Sequence, residues 1–313
     1  MTNKLSASVA GGTESPLLRR RSGFAHRRSE SMGAYTLLLP FLLLLLLAGL
    51  IPAAYALWTS LVNRTGSFAG IDNYVNVVTD FRFTSTFLNV FATMVLYVPL
   101  IVIIAVVFAL LIHASSRRLS ASVRFIFYLP GAFAGIANFV LWLYILDPTV
   151  SPVRWIWSVL GYDSLGEVAQ GSNVPMILSL ILLFQGVGSW MLIVYGALNT
   201  IPEELIEAAE LDGANAFQRA WLIVLPILKP WIAYLSIMNI AYALQLFLEP
   251  TLLGNATNGK ISPEWTPNQL SFTFAYGVGD LGAAAAMSII LLVLTLGIGL
   301  FIVTRTDLFG DAE

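Results

Sequence analysis

Four polar residues beyond Trp231 recur at helical spacing, and their side chains can donate and accept hydrogen bonds. They are Asn239, Tyr242, Gln245 and Glu249. At about 100° per residue they fall in a stripe about 120° wide on one helix face. In an apolar helix such a stripe should face protein or a water-filled path, because polar groups are costly in lipid. It could bind the hydroxyl groups of a solute such as a sugar, or it could bond to neighbouring helices.

Two further pairs of polar residues are four positions apart, and the same two interpretations apply to them. Asn138 is followed by Trp142, and Gln185 by Ser189. Residues at i and i+4 share one face of a helix. We therefore expect both pairs to face the interior of a helical bundle, as solute contacts or as interhelical hydrogen bonds.

Residues for covalent or metal-assisted catalysis are scarce in this chain. It contains no cysteine, and its two histidines are His26 and His113. Thiolate and histidine metal sites are therefore not expected. The phosphate-binding pattern G-x-x-x-x-G-K-[ST] does not occur in the sequence. We predict no catalytic residue, cofactor or metal, and the net charge of −2 gives no sign of nucleic-acid binding.

The elements that must position these residues are six apolar helices. Only 11% of the residues are charged, against roughly 25% in soluble domains. The charges cluster between uncharged runs that approach or exceed the about 20 residues needed to cross a bilayer. Backbone groups in lipid must bond within their own segment, so an all-α membrane protein is predicted. The expected spans are residues 35–58, 89–112, 125–146, 174–198, 231–249 and 281–303.

The first apolar run is interpreted as an uncleaved span, although residues 54–56 resemble a signal-peptide cleavage site. Its apolar stretch exceeds the about 7–15 residues of a signal-peptide core. Residues 1–30 are predicted to form a disordered, basic cytoplasmic tail. The membrane domain is expected over residues 31–308, with a short cytoplasmic tail at 309–313.

The placement of lysine and arginine predicts that both termini are cytoplasmic. With the N-terminus inside, 12 of the 16 basic residues lie in inner segments. Three of them, Arg117, Arg118 and Arg124, belong to one short connection, where basic residues weigh most. The outer segments hold Arg64, Arg82, Arg154 and Lys260.

The connection between the fourth and fifth spans has clear helix-terminus signals. Thr200 and Glu203 fit a T-x-x-E capping box, with Pro202 in the first helical turn. Gly213 follows this short helix at a position that favours a left-handed conformation. A second short helix is expected from about Asn215.

This connection would lie at the cytoplasmic surface and present the acidic residues Glu207, Glu210 and Asp212. Pro226 and Pro230 bracket the start of the fifth span. From these residues alone, the segment is either a simple interfacial connector or a docking element.

Residues 199–226 resemble the EAA loop of binding-protein-dependent ABC importers. That pattern is E-A-A, three residues, G, nine residues, then I-x-L-P, and every spacing agrees. The matching residues are Glu207, Ala208, Ala209, Gly213, Ile223, Leu225 and Pro226. In the family this loop docks in a cleft of the ATP-hydrolysing subunit and couples nucleotide-driven closure to the membrane helices. The resemblance implies that role for these residues and for neighbouring Asp212.

Three other segments are similar to the first permease of maltose- and glycerol-phosphate-type importers. Residues 68–74 match F-x-G-L-x-N-Y, 127–130 resemble the start of the third helix, and 276–286 resemble the start of the last one. The glycine and alanine residues at 282–286 also suit close helix packing. Outer residues 151–154 and 252–256 depart from the family pattern, so the identity of the substrate does not carry over.

The resemblance implies a type I permease architecture with six helices forming half of a pore in the bacterial inner membrane. It implies ABC ATPase subunits, a second homologous permease and an extracytoplasmic solute-binding protein as partners. No Lys or Arg lies deep in any predicted span, which favours an uncharged sugar. One alternative is a stand-alone ion-coupled transporter, for which Glu249 would be the candidate ionisable group. A second alternative is an intramembrane enzyme, but the predicted spans show no pairing of a nucleophile with a base and no pair of acidic residues.

Overall fold

The computed structural model describes residues 36–133 and 135–306, and the predicted tails at 1–30 and 309–313 lie outside this part. The described chain is built from helices joined by short connections. Those helices are α1 (Thr36–Ser60), α2 (Asp72–Thr79), α3 (Phe83–His113), α4 (Arg117–Ala132), α5 (Ile136–Leu146), α6 (Arg154–Leu160), α7 (Leu165–Val168), α8 (Asn173–Leu198), α9 (Glu203–Leu211), α10 (Ala216–Leu244), α11 (Leu248–Ala256), α12 (Pro267–Phe272) and α13 (Leu281–Thr306).

Five helices, α1, α3, α8, α10 and α13, are long and apolar enough to cross a membrane. The sixth span is the pair α4 and α5, which is bent by 97°. Six spans are therefore confirmed when this pair counts as one, but the predicted continuous helix at 125–146 is wrong. The break falls at Gly135, whose φ of 76° and ψ of −139° suit glycine and not a residue with a Cβ atom.

Helix α10 starts earlier than the predicted fifth span, because the short helix expected at Asn215 runs directly into it. A single π-turn at Ala220–Val224 precedes Pro226. In this turn the Leu225 N–H donates to the carbonyl five residues back. The wider turn leaves room for the proline ring, which would collide with the Leu222 carbonyl in a regular α-helix.

Helix α10 also ends earlier than predicted, at Leu244. Gln245 is its C-cap, and Glu249 lies on the next helix, α11. The prediction that four polar residues share one helix is therefore wrong for the last two. Asn239 and Tyr242 remain one turn apart on α10.

The interior of the bundle lies where α3, α8 and α10 pack together. Two clusters of buried apolar side chains fill it. Their fully buried members include Ile101, Met191, Leu228 and Leu235. Because lipid tails are as apolar as these side chains, close packing and not the exclusion of water holds such helices together.

Small residues allow the closest approaches between helices. A Cβ atom on Gly188 of α8 would overlap the Phe127 carbonyl of α4. A Cβ atom on Gly131 of α4 would lie 3.1 Å from the Gln185 carbonyl of α8. At the start of α13, Gly282 and the alanines that follow it are buried, which confirms the close packing predicted from their size.

Ion pairs join the connections at one end of the bundle. Arg64 pairs with Asp280 at 3.0 Å, between the segment after α1 and the start of α13. Arg82 donates to both carboxylate oxygens of Asp80, at 3.0 and 2.9 Å, and lies 3.6 Å from Glu264. These contacts join two of the segments predicted to share the outer side, the one before α3 and the one before α13.

Aromatic contacts join the connections at the other end. The Arg124 guanidinium lies over the Tyr195 ring, 4.5 Å from its centroid. The His113 ring lies 6.1 Å from the same centroid. The connection between α3 and α4 therefore lies beside the end of α8 and the segment 199–226, as the alternation of spans requires.

Candidate functional site

Helix α9 begins at Glu203, with Pro202 in the extended N-cap position. The predicted capping box between Thr200 and Glu203 is wrong, because the Thr200 hydroxyl donates to the Ala197 carbonyl at 2.8 Å. Thr200 stays close to the end of α8, where helix carbonyls lack intrahelical partners and attract its hydroxyl. Glu203 and Glu204 lie in the first turn of α9, where the helix dipole stabilises carboxylates.

The C-terminus of α9 is a Schellman motif with Gly213 at its left-handed position. The φ angle of Gly213 is 81°. The Ala214 N–H donates to the Ala209 carbonyl at 2.9 Å, and the Gly213 N–H to the Glu210 carbonyl at 3.0 Å. A Cβ atom on Gly213 would meet no atom within 4 Å. Backbone conformation therefore favours glycine here, and the predicted left-handed glycine is confirmed.

Helix α10 starts with a capping box at the predicted position. The Asn215 side chain accepts the Gln218 N–H at 2.9 Å, and the Gln218 side chain accepts the Asn215 N–H at 2.9 Å. The turn between α9 and α10 is thus fixed by hydrogen bonds at both ends. A turn held in this way sets the angle between the two helices.

Helix α9 has one buried face and one free face. Ala209 faces inward and is buried. Three residues predicted to dock lie on the exposed face: Glu207, Ala208 and Asp212. Glu210 is paired with Arg219. The carboxylates of Glu207 and Asp212 have no hydrogen-bond or ion-pair partner among the described residues. Those two carboxylates are available to a partner.

The remaining residues predicted to dock lie at the start of α10. Ile223 and Leu225 are half-buried, and Pro226 is exposed. An apolar groove of about 840 Å³ lies between α3, α9 and this part of α10. The rings of Phe217 and Trp221 stack at 6.2 Å on its border. The segment 199–226 therefore presents carboxylates on α9 and apolar surface on α10.

Asn239 belongs to a buried hydrogen-bond network between α3 and α10. The Tyr97 hydroxyl donates to Asn239 Oδ1 at 2.6 Å, and Asn239 Nδ2 donates to the Leu235 carbonyl at 2.8 Å. Both polar atoms of this amide thus have partners, as the interhelical interpretation expects. Sequence reasoning missed Tyr97, the single tyrosine of α3. Its position in the middle of an apolar span is the signal that could have identified it.

Tyr242, Gln245 and Glu249 lie around the break between α10 and α11. The Tyr242 hydroxyl donates to Glu249 Oε1 at 3.2 Å. Glu249 is only 8% exposed, whereas the side chains of Tyr242 and Gln245 are open. No salt bridge among the described residues reaches Glu249. A hydrogen bond across the break thus connects the accessible phenol of Tyr242 to the buried carboxylate of Glu249.

The pair Asn138 and Trp142 lies on α5, just beyond the break at Gly135. Asn138 is 1% exposed, yet its Oδ1 has no hydrogen-bond partner, and the buried Trp142 Nε1 has none either. Trp142 packs edge-on against Phe184 of α8, at 5.6 Å between centroids. An unpaired acceptor and an unpaired donor one turn apart could both bond to a single hydroxyl group.

The pair Gln185 and Ser189 lies on α8 and is half-buried. Gly131 of α4 packs against it, with its Cβ position 3.5 Å from the Ser189 hydroxyl. Trp142 and Ser189 therefore face neighbouring helices.

The sequence of this chain is similar to those of known proteins. A family model described as "Binding-protein-dependent transport system inner membrane component" matches residues 63–305. The sn-glycerol-3-phosphate transport system permease protein UgpA of Escherichia coli O157:H7 is 30% identical over 271 residues, 82% of this chain and 88% of that protein. The UgpA of Yersinia pestis is 28% identical over 277 residues, 84% of this chain and 90% of that protein.

The fold also matches solved structures. A chain of a bacterial ABC transporter that imports the acidic polysaccharide alginate superposes with a TM-score of 0.76 at 20% identity, covering 92% of this chain and 99% of that one. A second alginate transporter structure, in complex with a pentasaccharide-bound periplasmic protein, gives a TM-score of 0.73 at 20% identity, covering 88% and 93%. Since the family model spans most of the sequence, this chain belongs to the family of binding-protein-dependent transport system inner membrane components.

Proposed function

We propose that this chain is the permease subunit of an ATP-driven ABC importer that moves an uncharged sugar across the bacterial inner membrane. The observation that carries the proposal is the segment 199–226 within a chain of this family. Its spacing matches the EAA loop, and its two short helical parts meet at a left-handed Gly213. A chain without a phosphate loop depends on a separate ATPase subunit for energy.

The ATPase would dock on the exposed face of α9. Glu207 and Asp212 point away from the bundle, and neither has a partner among the described residues. A basic group in the cleft of an ATPase subunit would pair with Glu207. Because the Schellman motif and the Asn215 capping box fix the turn, a displacement of α9 would reach α10. Helix α10 carries Asn239 and Tyr242, so docking and pathway share one helix.

The sugar would pass the polar residues of α5, α8, α10 and α11. Tyr242 and Gln245 offer an accessible phenol and amide, and Asn138 and Trp142 offer an unpaired acceptor and donor. Sugar hydroxyls both donate and accept, so they match these groups. The full set proposed for the pathway is Asn138, Trp142, Gln185, Asn239, Tyr242, Gln245 and Glu249.

The charge of the spans favours a neutral substrate. The names of the relatives and structural neighbours concern sn-glycerol-3-phosphate and an acidic polysaccharide, and both solutes are anionic. This chain has no Lys or Arg at residues 83–113, 136–146, 173–198 or 230–256. Glu249 adds a buried carboxylate beside Tyr242. An anionic sugar would meet no basic group in these spans to offset its charge.

The proposal includes partners and an orientation. A second, homologous permease would complete the pore, and an extracytoplasmic binding protein would deliver the sugar at the end that holds the Arg64–Asp280 pair. Both termini and the segment 199–226 would lie in the cytoplasm. The excess of basic residues at 113–124 and in the N-terminal sequence supports this orientation.

The experiment that tests the proposal is reconstitution of the complex in proteoliposomes with its ATPase, its partner permease and a binding protein. A panel of neutral and anionic sugars is then screened for stimulation of ATP hydrolysis and for uptake. We expect a neutral sugar to stimulate both. Uptake driven by an ion gradient without ATP would contradict the importer, and stimulation by anionic sugars alone would contradict the substrate class.

A pair of variants isolates the role of the segment 199–226. Glu207→Ala should release the ATPase subunit or uncouple hydrolysis from uptake. Asp163→Ala, which also removes an exposed carboxylate but from the connection between α6 and α7, should retain both activities. Equal retention and uptake in the two variants would mean that the segment is only a connector.

A further inference from the structure

Helix α6, at Arg154–Leu160, has three distinct faces. At about 100° per residue, Trp155, Ile156, Val159 and Leu160 form one apolar face, and Arg154 and Ser158 form a polar face beside it. Trp157 lies on the remaining side. The apolar face is open: Trp155 is 65% exposed, Val159 80% and Leu160 58%. A short amphipathic helix with an open apolar face needs a surface to cover it.

The third face fixes α6 to the end of a span. Trp157 Nε1 donates to the Ile145 carbonyl at 2.9 Å. The Ser151 hydroxyl donates to the same carbonyl at 2.6 Å. Ile145 lies in the last turn of α5, where carbonyl groups have no intrahelical partner. These two bonds satisfy that carbonyl and hold α6 beside the terminus of α5.

This attachment sets the depth of α6 in the membrane. The pair α4 and α5 counts as one candidate span, which ends at Leu146. With the pair taken as one span, this end lies where the hydrocarbon region gives way to the headgroups. Large apolar side chains are also exposed on α5, at Val140, Leu141 and Tyr144. The helix α6 therefore lies at the level of the lipid headgroups, whichever side of the membrane this end occupies.

The composition of α6 fits that level. Tryptophan is enriched at membrane–water interfaces, because its ring is apolar and its N–H is polar. Amphipathic helices bury the apolar face among the acyl chains and keep the polar face in water. On the polar face, the Arg154 side chain is exposed. A guanidinium there is attracted to the phosphate groups of anionic lipids.

The geometry points to α6 as an interfacial helix that binds the bilayer surface through Trp155, Val159 and Leu160, with Arg154 selecting anionic headgroups. The partner is the lipid surface itself. This inference does not depend on the transported solute. It concerns a segment in which residues 151–154 depart from the family pattern.

The test uses single cysteines, for which the cysteine-free chain gives no background. The full chain, with the subunits that co-purify, is placed in nanodiscs of phosphatidylcholine with or without phosphatidylglycerol. An NBD fluorophore is attached at Val159→Cys on the apolar face, or at Ser158→Cys on the polar face as the matched control. Lipids with a doxyl quencher near the headgroup report contact with the bilayer.

We expect emission at position 159 to shift to shorter wavelength and to be quenched by the doxyl lipid, while position 158 changes little. Phosphatidylglycerol should increase quenching at 159, and Arg154→Gln should abolish that increase. Water-like emission at 159 would overturn the inference. A blue shift without lipid quenching, or one that appears only with added binding protein, would assign the face to a protein partner and overturn it as well.

Discussion

The Tyr242 hydroxyl donates a hydrogen bond of 3.2 Å to the Glu249 carboxylate across the break that separates α10 from α11. The break brings together two residues that a continuous helix would also have placed on one side, but it leaves the carboxylate buried and the ring open. The hydroxyl of an accessible aromatic ring is therefore bonded to one buried acidic residue. This bond gives the first prediction.

Tyr242→Phe should lower sugar uptake by about tenfold or more while the complex remains assembled. It removes a hydrogen bond to a group that can be ionised, and such bonds contribute about 1.5–3 kcal/mol. Uptake and basal ATP hydrolysis in proteoliposomes are the measurements. Tyr144→Phe, which removes an exposed hydroxyl from α5, is the control and should transport normally. Normal uptake in both variants would limit the Tyr242 hydroxyl to a structural role.

Substitutions at Gly213 should separate backbone conformation from side-chain size. Its φ of 81° disfavours a β-branched residue, by on the order of 1 kcal/mol or more, but tolerates asparagine. Space is not limiting, because a Cβ atom would meet nothing within 4 Å. Gly213→Val should therefore lose ATPase retention and uptake, and Gly213→Asn should keep most of both. Equal loss in the two variants would contradict the conformational argument.

Gly188→Ala should destabilise the helical bundle by about 1–3 kcal/mol, since the added methyl group overlaps the Phe127 carbonyl and forces α4 and α8 apart. The thermal midpoint of the purified protein measures the effect. Gly196→Ala on the same helix is the control, because its Cβ would meet no atom within 4 Å. A lower midpoint for Gly196→Ala than for Gly188→Ala would refute the close crossing.

The Asp80–Arg82 pair should make the free energy of unfolding depend on pH in the acidic range. The Arg82 side-chain hydrogen bond lowers the pKa of Asp80, so the pair stabilises the folded chain above the unfolded pKa of about 3.9. This contribution is lost as the pH falls through the lowered value. Asp80→Asn keeps an acceptor for the Arg82 N–H but removes the charge. The thermal midpoint of the wild type should exceed that of the variant at pH 7. The difference should begin to shrink below about pH 4 and vanish only below the lowered pKa of Asp80. A constant difference would contradict the pairing.

Labelling of single cysteines by an impermeant thiol reagent should establish the orientation. Cysteines at the exposed positions Ser116 and Glu204 should be protected in intact cells and react after lysis. A cysteine at exposed Asn255 should react in intact cells. Asn73 is unsuitable as an outer site, because it is buried and its amide bonds to the Ser60 and Val62 carbonyls. Labelling of Glu204→Cys from outside would reverse the proposed orientation.

Predictions from the sequence were correct where the local structure depends on one rule that involves only neighbouring residues. The left-handed Gly213 and the helix start at Asn215 each depend on a few neighbouring residues, and the structure confirms both. The spans follow from length and apolar composition in the same way. These features do not require knowledge of which helices touch.

Predictions failed where two local signals competed, or where contacts between helices determine the structure. Thr200 fits a capping box by spacing, but the Ala197 carbonyl takes its hydroxyl. Pro226 looks like a helix boundary, but a π-turn carries α10 past it. The partnership of Tyr97 with Asn239 depends on packing between helices, which a single sequence does not reveal. The break at Gly135 interrupts an apolar run whose length and composition predicted one continuous helix.

The contact of Gly188 with the Phe127 backbone also has a mechanical meaning. Two helices that touch backbone to backbone are hindered from sliding at that point, whereas rotation about it leaves the contact intact, so we expect the contact to act as a pivot. From Gly188 to the end of α8 is about ten residues, or about 15 Å at 1.5 Å per residue. A rotation of about 10° at the pivot would swing that end by about 2.6 Å. The crossing thus sets a lever arm that converts a small tilt within the membrane into a movement of atomic size at α9.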